Sequence, residues 1–207
     1  MARTPEERDA RLREIVTEVH GDGIVLNALQ TSDAPRVYEA CTGEEMRRFM
    51  TFPWPYKRSH ADFFVGHYAI RGWESGEFEL WAIRERPGGE ILGAFELRAQ
   101  DPPDVGYWLH PDARGRGIMG RALERVCQLV FERGHDAIHW ECVEGNLASA
   151  AVAIRAGFRF DGTRPVRELR YNEERPMAWN GIRRASDGPL TDADLNAWPA
   201  AARELGR

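Results

Sequence analysis

No apolar run in this 207-residue chain approaches the roughly 18 residues that cross a bilayer. Its opening, MARTPEERDARLREI, is charged from the first turn and has no apolar h-region. Neither membrane spanning nor export is therefore expected, and the cytoplasm is the simplest home. An excess of positive charge is also missing. Lys and Arg number 28 against 33 Asp and Glu, a formal net charge of −5, whereas nucleic-acid binding needs a basic face; nucleic acid is not the expected partner. Cysteine is scarce. Cys41, Cys127 and Cys142 are odd in number, widely spaced and set in apolar patterns, which fits reduced structural thiols better than a disulfide framework or a zinc site. His135 and His139 stand four apart, but the Gly134 break and a strand start separate them from any shared helix face, so no metal is expected. Repeats and low-complexity segments are lacking too. What is present is 43% hydrophobic content over a length that suits one core.

Local patterns order the chain. Thr4, Pro5 and Glu7 form a capping signature for a helix whose Leu12, Ile15, Val16 and Val19 share a face until Gly21 stops it. Residues 23–29 predict a strand, and Ser32, Asp33 and Pro35 open a short helix that ends near Thr42 and Gly43, where Thr42 and Glu45 cap another. An aromatic, proline-bearing linker, residues 49–56, leads to a helix begun by Ser59 and Asp62 and running through Phe63, Phe64, His67 and Ile70. Residues 78–86, 91–99 and 105–110 predict an antiparallel meander. The period then changes: Ile118, Ala122, Val126, Leu129 and Val130 define a helix, residues 137–143 a strand, and residues 147–156 a second helix closed by Gly157. Residues 158–162, 169–171 and 177–183 supply the last strands, and a tail helix capped by Thr191 and Asp194 runs to Trp198, where Pro199 bends or ends it.

The densest signal is RGRGIMG, residues 114–120, between the meander and the first long helix. Gly115, Gly117 and Gly120 let the backbone take left-handed or crowded angles and bring bare amides to an anion. They satisfy GxGxxG, and Glu141 falls where a ribose-binding acid would belong. In a dinucleotide fold, however, the strand feeds straight into the first glycine, whereas residues 110–114 intervene here and a meander precedes them. A P-loop is excluded because no Lys followed by Ser or Thr comes after the glycines.

VGYWLHPDARGRGIMGRAL followed by NLASAAVAIRAGF resembles the GNAT acyltransferases, in particular the branch similar to the ribosomal-protein N-terminal acetyltransferases RimJ and RimL. The likeness spans residues 24–184. It implies a mixed, mostly antiparallel central sheet of about seven strands flanked by helices, with an N-terminal helical extension at 1–22, the acyltransferase domain at 23–184 and a C-terminal helical tail at 185–207. The family's Q/RxxGxG/A pattern binds the coenzyme A pyrophosphate. Arg114 and Gly117 fill its first and fourth places, and Met119 stands where Gly or Ala is usual, a departure that crowds the loop slightly. The second motif matches at Asn146, Ser149, Gly157 and Phe158. Many members carry a tyrosine where this chain has Ala153, whereas the serine of the RimL-like branch is kept as Ser149.

The resemblance thus implies acetyl-CoA or another acyl-CoA as donor. It would be held by Leu109 and His110 amides and by Arg114, Gly115, Arg116, Gly117, Ile118, Met119, Gly120, Asn146 and Ser149, with Arg121 a further phosphate partner. Acyl transfer to an amine also needs a proton for the leaving thiolate and a base for the ammonium. Ser149 is the candidate acid, its other role being a helix cap. Asp104 aligns with an acidic residue of the family and is the candidate base, with Glu96 and Glu168 as rivals. Phe52, Trp54 and Tyr56 are candidates to wall the acceptor pocket, with packing of the helix pair onto the sheet the expected job of at least two of them; Trp81, Trp108 and Trp140 read as core. The expected acceptor is a primary amine of a small molecule or a protein N-terminus, and a homodimer is compatible with the terminal helices. A non-catalytic acyl-CoA-binding module and an NAD(P)-dependent oxidoreductase are the alternatives.

Overall fold

A computed structural model describes residues 3–167, 172 and 174–206. Helix α1 (Pro5–Ile15) begins on the expected capping box, Thr4 accepting from the Glu7 amide while Glu7 accepts from Thr4. It ends sooner than the apolar spacing predicts. Val19 is not on its face but in strand β1 (Val19–Gly21), which pairs antiparallel with β2 (Ile24–Asn27); with β-branched Val16 and Thr17 before it, the chain extends and Gly21 leads the hairpin.

A 3-10 turn (Thr31–Asp33) leads into α2 (Ala34–Cys41), followed by α3 (Glu44–Phe49). Thr42 does not cap α3: its hydroxyl donates to the Glu39 carbonyl, and Gly43 holds the N-cap position. Helix α4 (Arg58–Phe63) starts one residue before Ser59 and runs through a π-helical stretch (Phe64–Tyr68) into α5 (Ala69–Ser75).

Strands β3 (Phe78–Arg84), β4 (Gly93–Arg98) and β5 (Asp104–Leu109) form the expected meander. Gly93 is where β4 must have no side chain, since a Cβ there would lie 2.2 Å from the Trp108 carbonyl oxygen. Next come α6 (Ile118–Glu132), β6 (Ala137–Val143) and α7 (Leu147–Arg155). Strands β7 (Arg159–Pro165) and β8 (Met177–Arg184) and helices α8 (Asp192–Ala197) and α9 (Ala200–Gly206) close the chain, with Pro199 at the break between the last two. The strand expected at 169–171 lies outside the described residues.

The sheet has eight strands in the order β1-β2-β3-β4-β5-β6-β8-β7. All described pairs are antiparallel except β5 with β6. One face packs against α6, α7 and α9 through a core that includes Trp81, Trp140, Phe158 and Trp198. The other packs against α1, α2, α4 and α5 through Leu12, Val37, Val65 and Trp108. The residues before β2 and after β8 therefore share the two cores of the sheet. Among the described residues no helix is long and apolar enough to cross a membrane.

Candidate active site

The parallel strands β5 and β6 touch at only two residue pairs, Asp104 with His139 and Val105 with Trp140, and then part. Antiparallel pairing fixes which backbone groups face the gap. The His110 amide donates to the Leu92 carbonyl at 2.8 Å, so alternation along β5 aims the amides and carbonyls of Tyr107 and Leu109 away from β4 and into the opening. The Leu109 amide thus faces the gap, whereas the His110 amide is spent on the sheet. The His110 ring, buried, instead caps the 3-10 turn (Pro111–Ala113) through Asp112.

Below the gap lies the N-terminus of α6. Gly115 and Gly117 take φ of +72° and +70°, which only glycine adopts without strain. Gly117 is the N-cap and offers no side chain, and the helical bonds begin with the Arg121 amide to the Gly117 carbonyl. The amides of Ile118, Met119 and Gly120 thus precede the first bond. Open space surrounds the Cβ positions of Gly115 and Gly120. Bare amides, an aligned 15-residue helix dipole and room at the backbone fit a diphosphate. Met119 does not crowd the loop: its side chain is buried in the core beside α6. Arg114 ion-pairs with Glu45 of α3, Arg116 with Glu85, and Arg121 donates to the Arg116 carbonyl at 3.1 Å. These are exposed pairs, worth about 0–1 kcal/mol each, so an anion can displace them. A cavity of about 670 Å³ runs from this loop past Asn146 and Ser149 to Tyr107.

Asn146, not Ser149, is the cap of α7; its side chain accepts from the Ser149 amide at 3.2 Å. The Ser149 hydroxyl is left to donate to the Tyr107 hydroxyl at 3.1 Å, which also receives the Trp140 indole N–H at 2.9 Å. Burial pushes the Tyr107 hydroxyl well above the ordinary tyrosine range, so it stays protonated, a donor. Tyr107 is a residue the sequence reading passed over; its signal was alternation, which puts it on the same strand face as Val105 and Leu109.

The carboxylates form a row. Glu96 lies opposite Gly106 on β5, and continuing the β5–β6 register puts Gly106 level with Glu141. Gly106 then lies between two carboxylates at the start of the gap, and the Arg98 guanidinium covers it, 3.2 Å from where a Cβ would stand. The next row is an ion-pair chain: Asp104, buried, accepts from Arg98 at 2.6 Å and from Arg167 at 3.0 Å. Both carboxylate oxygens of Asp104, the candidate base, are thus engaged by guanidiniums. Glu96 accepts from the Tyr68 hydroxyl at 2.9 Å and pairs with Arg98 at 3.5 Å. Glu141, absent from the expected set, is the carboxylate whose pKa is raised, by burial first, with the Arg167 amide opposing. Glu168 lies outside the described residues.

A second cavity, about 340 Å³, opens over Gly106 on the other side of the sheet. Phe52 and Tyr56 line it, and both also pack in the core of this face. Trp54 does not line it; its ring lies under the Arg47 guanidinium, 5.5 Å away. Phe64, Tyr68 and Trp108 complete the wall.

A sheet parted between two parallel strands, with an anion cradle below and a separate cavity above, is the architecture of an acyltransferase. A family model described as an acetyltransferase (GNAT) domain matches residues 24–159, and the chain belongs to this family. Among solved structures, the microcin C7 self-immunity acetyltransferase MccE in complex with acetyl-CoA and AMP aligns with a TM-score of 0.68 at 20% identity, over 85% of this chain and 99% of that one. A putative ribosomal-protein-serine acetyltransferase from Vibrio cholerae gives 0.71 at 17%, over 81% and 97%. RimJ from Mycobacterium smegmatis in complex with CoA-disulfide gives 0.68 at 18%, over 88% and 93%. At such identities the likeness is one of fold.

Proposed function

We propose that this protein is an acyl-CoA-dependent N-acyltransferase, with acetyl-CoA as first donor, acting on a primary amine. The observation that carries the reading is the coincidence of the β5–β6 gap with the uncapped, glycine-bounded start of α6. The coenzyme supplies an activated thioester. The amides of residues 118–120 would hold its diphosphate, and the Tyr107 and Leu109 backbone would line its arm. Ser149 would donate a proton to the leaving sulfur, with Tyr107 holding that hydroxyl in place, and the second proton shed by the attacking nitrogen would replace the one Ser149 gave up. Glu141 would take the proton of the acceptor ammonium, directly or through water; its raised pKa suits that task. Overall, an ammonium and a thioester give an amide, a free thiol and one proton released to solvent. That MccE was solved with acetyl-CoA and RimJ with a CoA-disulfide supports the donor assignment.

The dinucleotide alternative draws no support from a sheet in which one described pair alone is parallel. A non-catalytic acyl-CoA sensor would share the cradle but not need the Ser149–Tyr107 pair. Thiol release from acetyl-CoA with a panel of amines tests the reading. Turnover with at least one amine is expected; tight acetyl-CoA binding with no turnover on any amine would favour the sensor, and NADP binding without coenzyme A binding would overturn both.

A further inference from the structure

The large cavity does not stop at the glycine turn. From the start of α6 it continues along one face of α7, where Ala148, Ala151, Val152 and Arg155 recur at helical spacing, and reaches Leu205 of α9. Arg155 stands about 9 Å further along α7 than Ser149. Two directions therefore lead away from the turn: one past Asn146 and Ser149 to the β5–β6 gap, the other to α9.

Charge marks the second direction. Arg155 donates to the Leu205 carbonyl and Arg121 to the Arg116 carbonyl, and among the described residues neither guanidinium ion-pairs with a carboxylate. A carbonyl is a neutral acceptor, so both positive charges stay uncompensated. The two side chains flank one ridge. The Arg121 Nη1 lies 3.2 Å from where a Gly117 Cβ would stand, and a second, open hollow over α6 is walled by Gly117, Gly120, Arg121 and Arg155 together. Leu205 adds an apolar surface, with half of it exposed at the cavity wall. It is fixed from both sides: Arg155 holds its carbonyl, and the next residue, Gly206, sits so close to α7 that a Cβ would stand 2.8 Å from the Ile154 side chain. A leucine held at a cavity edge is surface that a flat apolar ring would cover.

Resting on the acyl-transfer reading, we infer that α7 and α9 build a subsite for the 3′-phosphoadenosine end of acyl-CoA, with the 3′-phosphate between Arg121 and Arg155 and the adenine ring against Leu205. An acyl-CoA leaves its diphosphate in two directions, the thioester arm one way and the nucleoside the other; with the arm in the gap, the nucleoside follows α7. Its 3′-phosphate is a monoester, close to doubly charged at neutral pH, and calls for cations that the neutral amides at the start of α6 do not supply. Leu205 lies well beyond the residues 24–159 that carry the family match, so a helix of this chain's own completes the coenzyme site, and the arginine pair selects the coenzyme over its 3′-dephospho form.

Calorimetric titration of acetyl-CoA and of acetyl-3′-dephospho-CoA tests this. The parent should bind acetyl-CoA at least ~10-fold more tightly than the dephospho form. Arg121→Gln and Arg155→Gln should each cut that preference to about threefold or less. Because the preference compares two ligands on one protein, a variant that only loosens α9 weakens both alike and leaves it unmoved. Leu205→Ser should weaken both coenzymes about 5-fold at an unchanged preference; undiminished affinity there would remove α9 from the site. Equal affinities in the parent, or a preference kept in full by both arginine variants, would overturn this inference and leave the acyl-transfer reading standing. Failure to bind either coenzyme would overturn both.

Discussion

Gly120 separates binding from folding. A Cβ there meets no atom within 4 Å outside its own helix and the backbone is ordinary helix, unlike Gly117, where any side chain is strained by the positive φ and a Cβ would lie 3.2 Å from Arg121. Gly120→Glu should therefore keep the fold and raise the melting temperature slightly, since Gly costs a helix about 0.5–1 kcal/mol and an acid suits a helix start. It should also abolish acetyl-CoA binding by putting a carboxylate where a diphosphate belongs; circular dichroism and calorimetry check the two halves. Ser149→Ala should lower kcat about 100-fold with little change in acetyl-CoA affinity, and Tyr107→Phe should do the same more weakly. Glu141 yields a pH prediction. Its folded pKa lies above its unfolded value, so the acidic limb of kcat/KM should sit above the ordinary glutamate range near 4.3, and Glu141→Gln should remove that limb together with most of the activity. For stability the sign is opposite. A raised pKa contributes stability that is present below the unfolded value and lost as pH rises through the folded one. Glu141→Gln should thus melt no lower than the parent at pH 8, which separates a chemical role from a structural one.

Among the elements, β4, β5 and α7 set the site. Asn146→Ala removes the cap of α7 and should cost about 1 kcal/mol by chemical denaturation; because that cap also orients the turn bearing Ser149, kcat should fall as well. Gly93→Ala, against the Trp108 carbonyl, should cost about 1–3 kcal/mol. The long periodic elements were legible in the sequence: residues 137–143 form a strand with the predicted bounds, and α6 and α7 start at Ile118 and Leu147. So were the left-handed turns at Gly115 and Gly117, because tolerance of positive φ is a property of residue type. The helix assigned to Val19 was misread since four apolar residues at helical spacing say nothing of where the chain must turn to meet a sheet edge. The partners of the His110 amide and of the Asp104 carboxylate are not legible for a related reason. Which amide faces the gap, and which guanidiniums find a carboxylate, are set by register and by partners as distant in sequence as Arg167, which no local pattern carries.

Across the whole molecule the two faces of the sheet divide the work. The α6–α7 face carries the glycine-bounded helix start and the Ser149–Tyr107 pair; the α4–α5 face carries the aromatic cavity; Gly106 and the β5–β6 gap lie between them. The C-terminal segment belongs to the first face. Trp198 is buried against Trp140 at 5.7 Å and Phe160 at 5.3 Å, and Trp140 in turn holds Tyr107. Trp198→Ala should cost about 3–5 kcal/mol and lower kcat through the loosened Tyr107. The central claim is that one opening in the sheet serves acyl transfer from a coenzyme held at the start of α6. Thiol release from acetyl-CoA, measured with a panel of primary amines on the parent and on Gly120→Glu side by side, tests it most directly. The account predicts turnover by the parent and none by the folded variant; equal rates in both would contradict it.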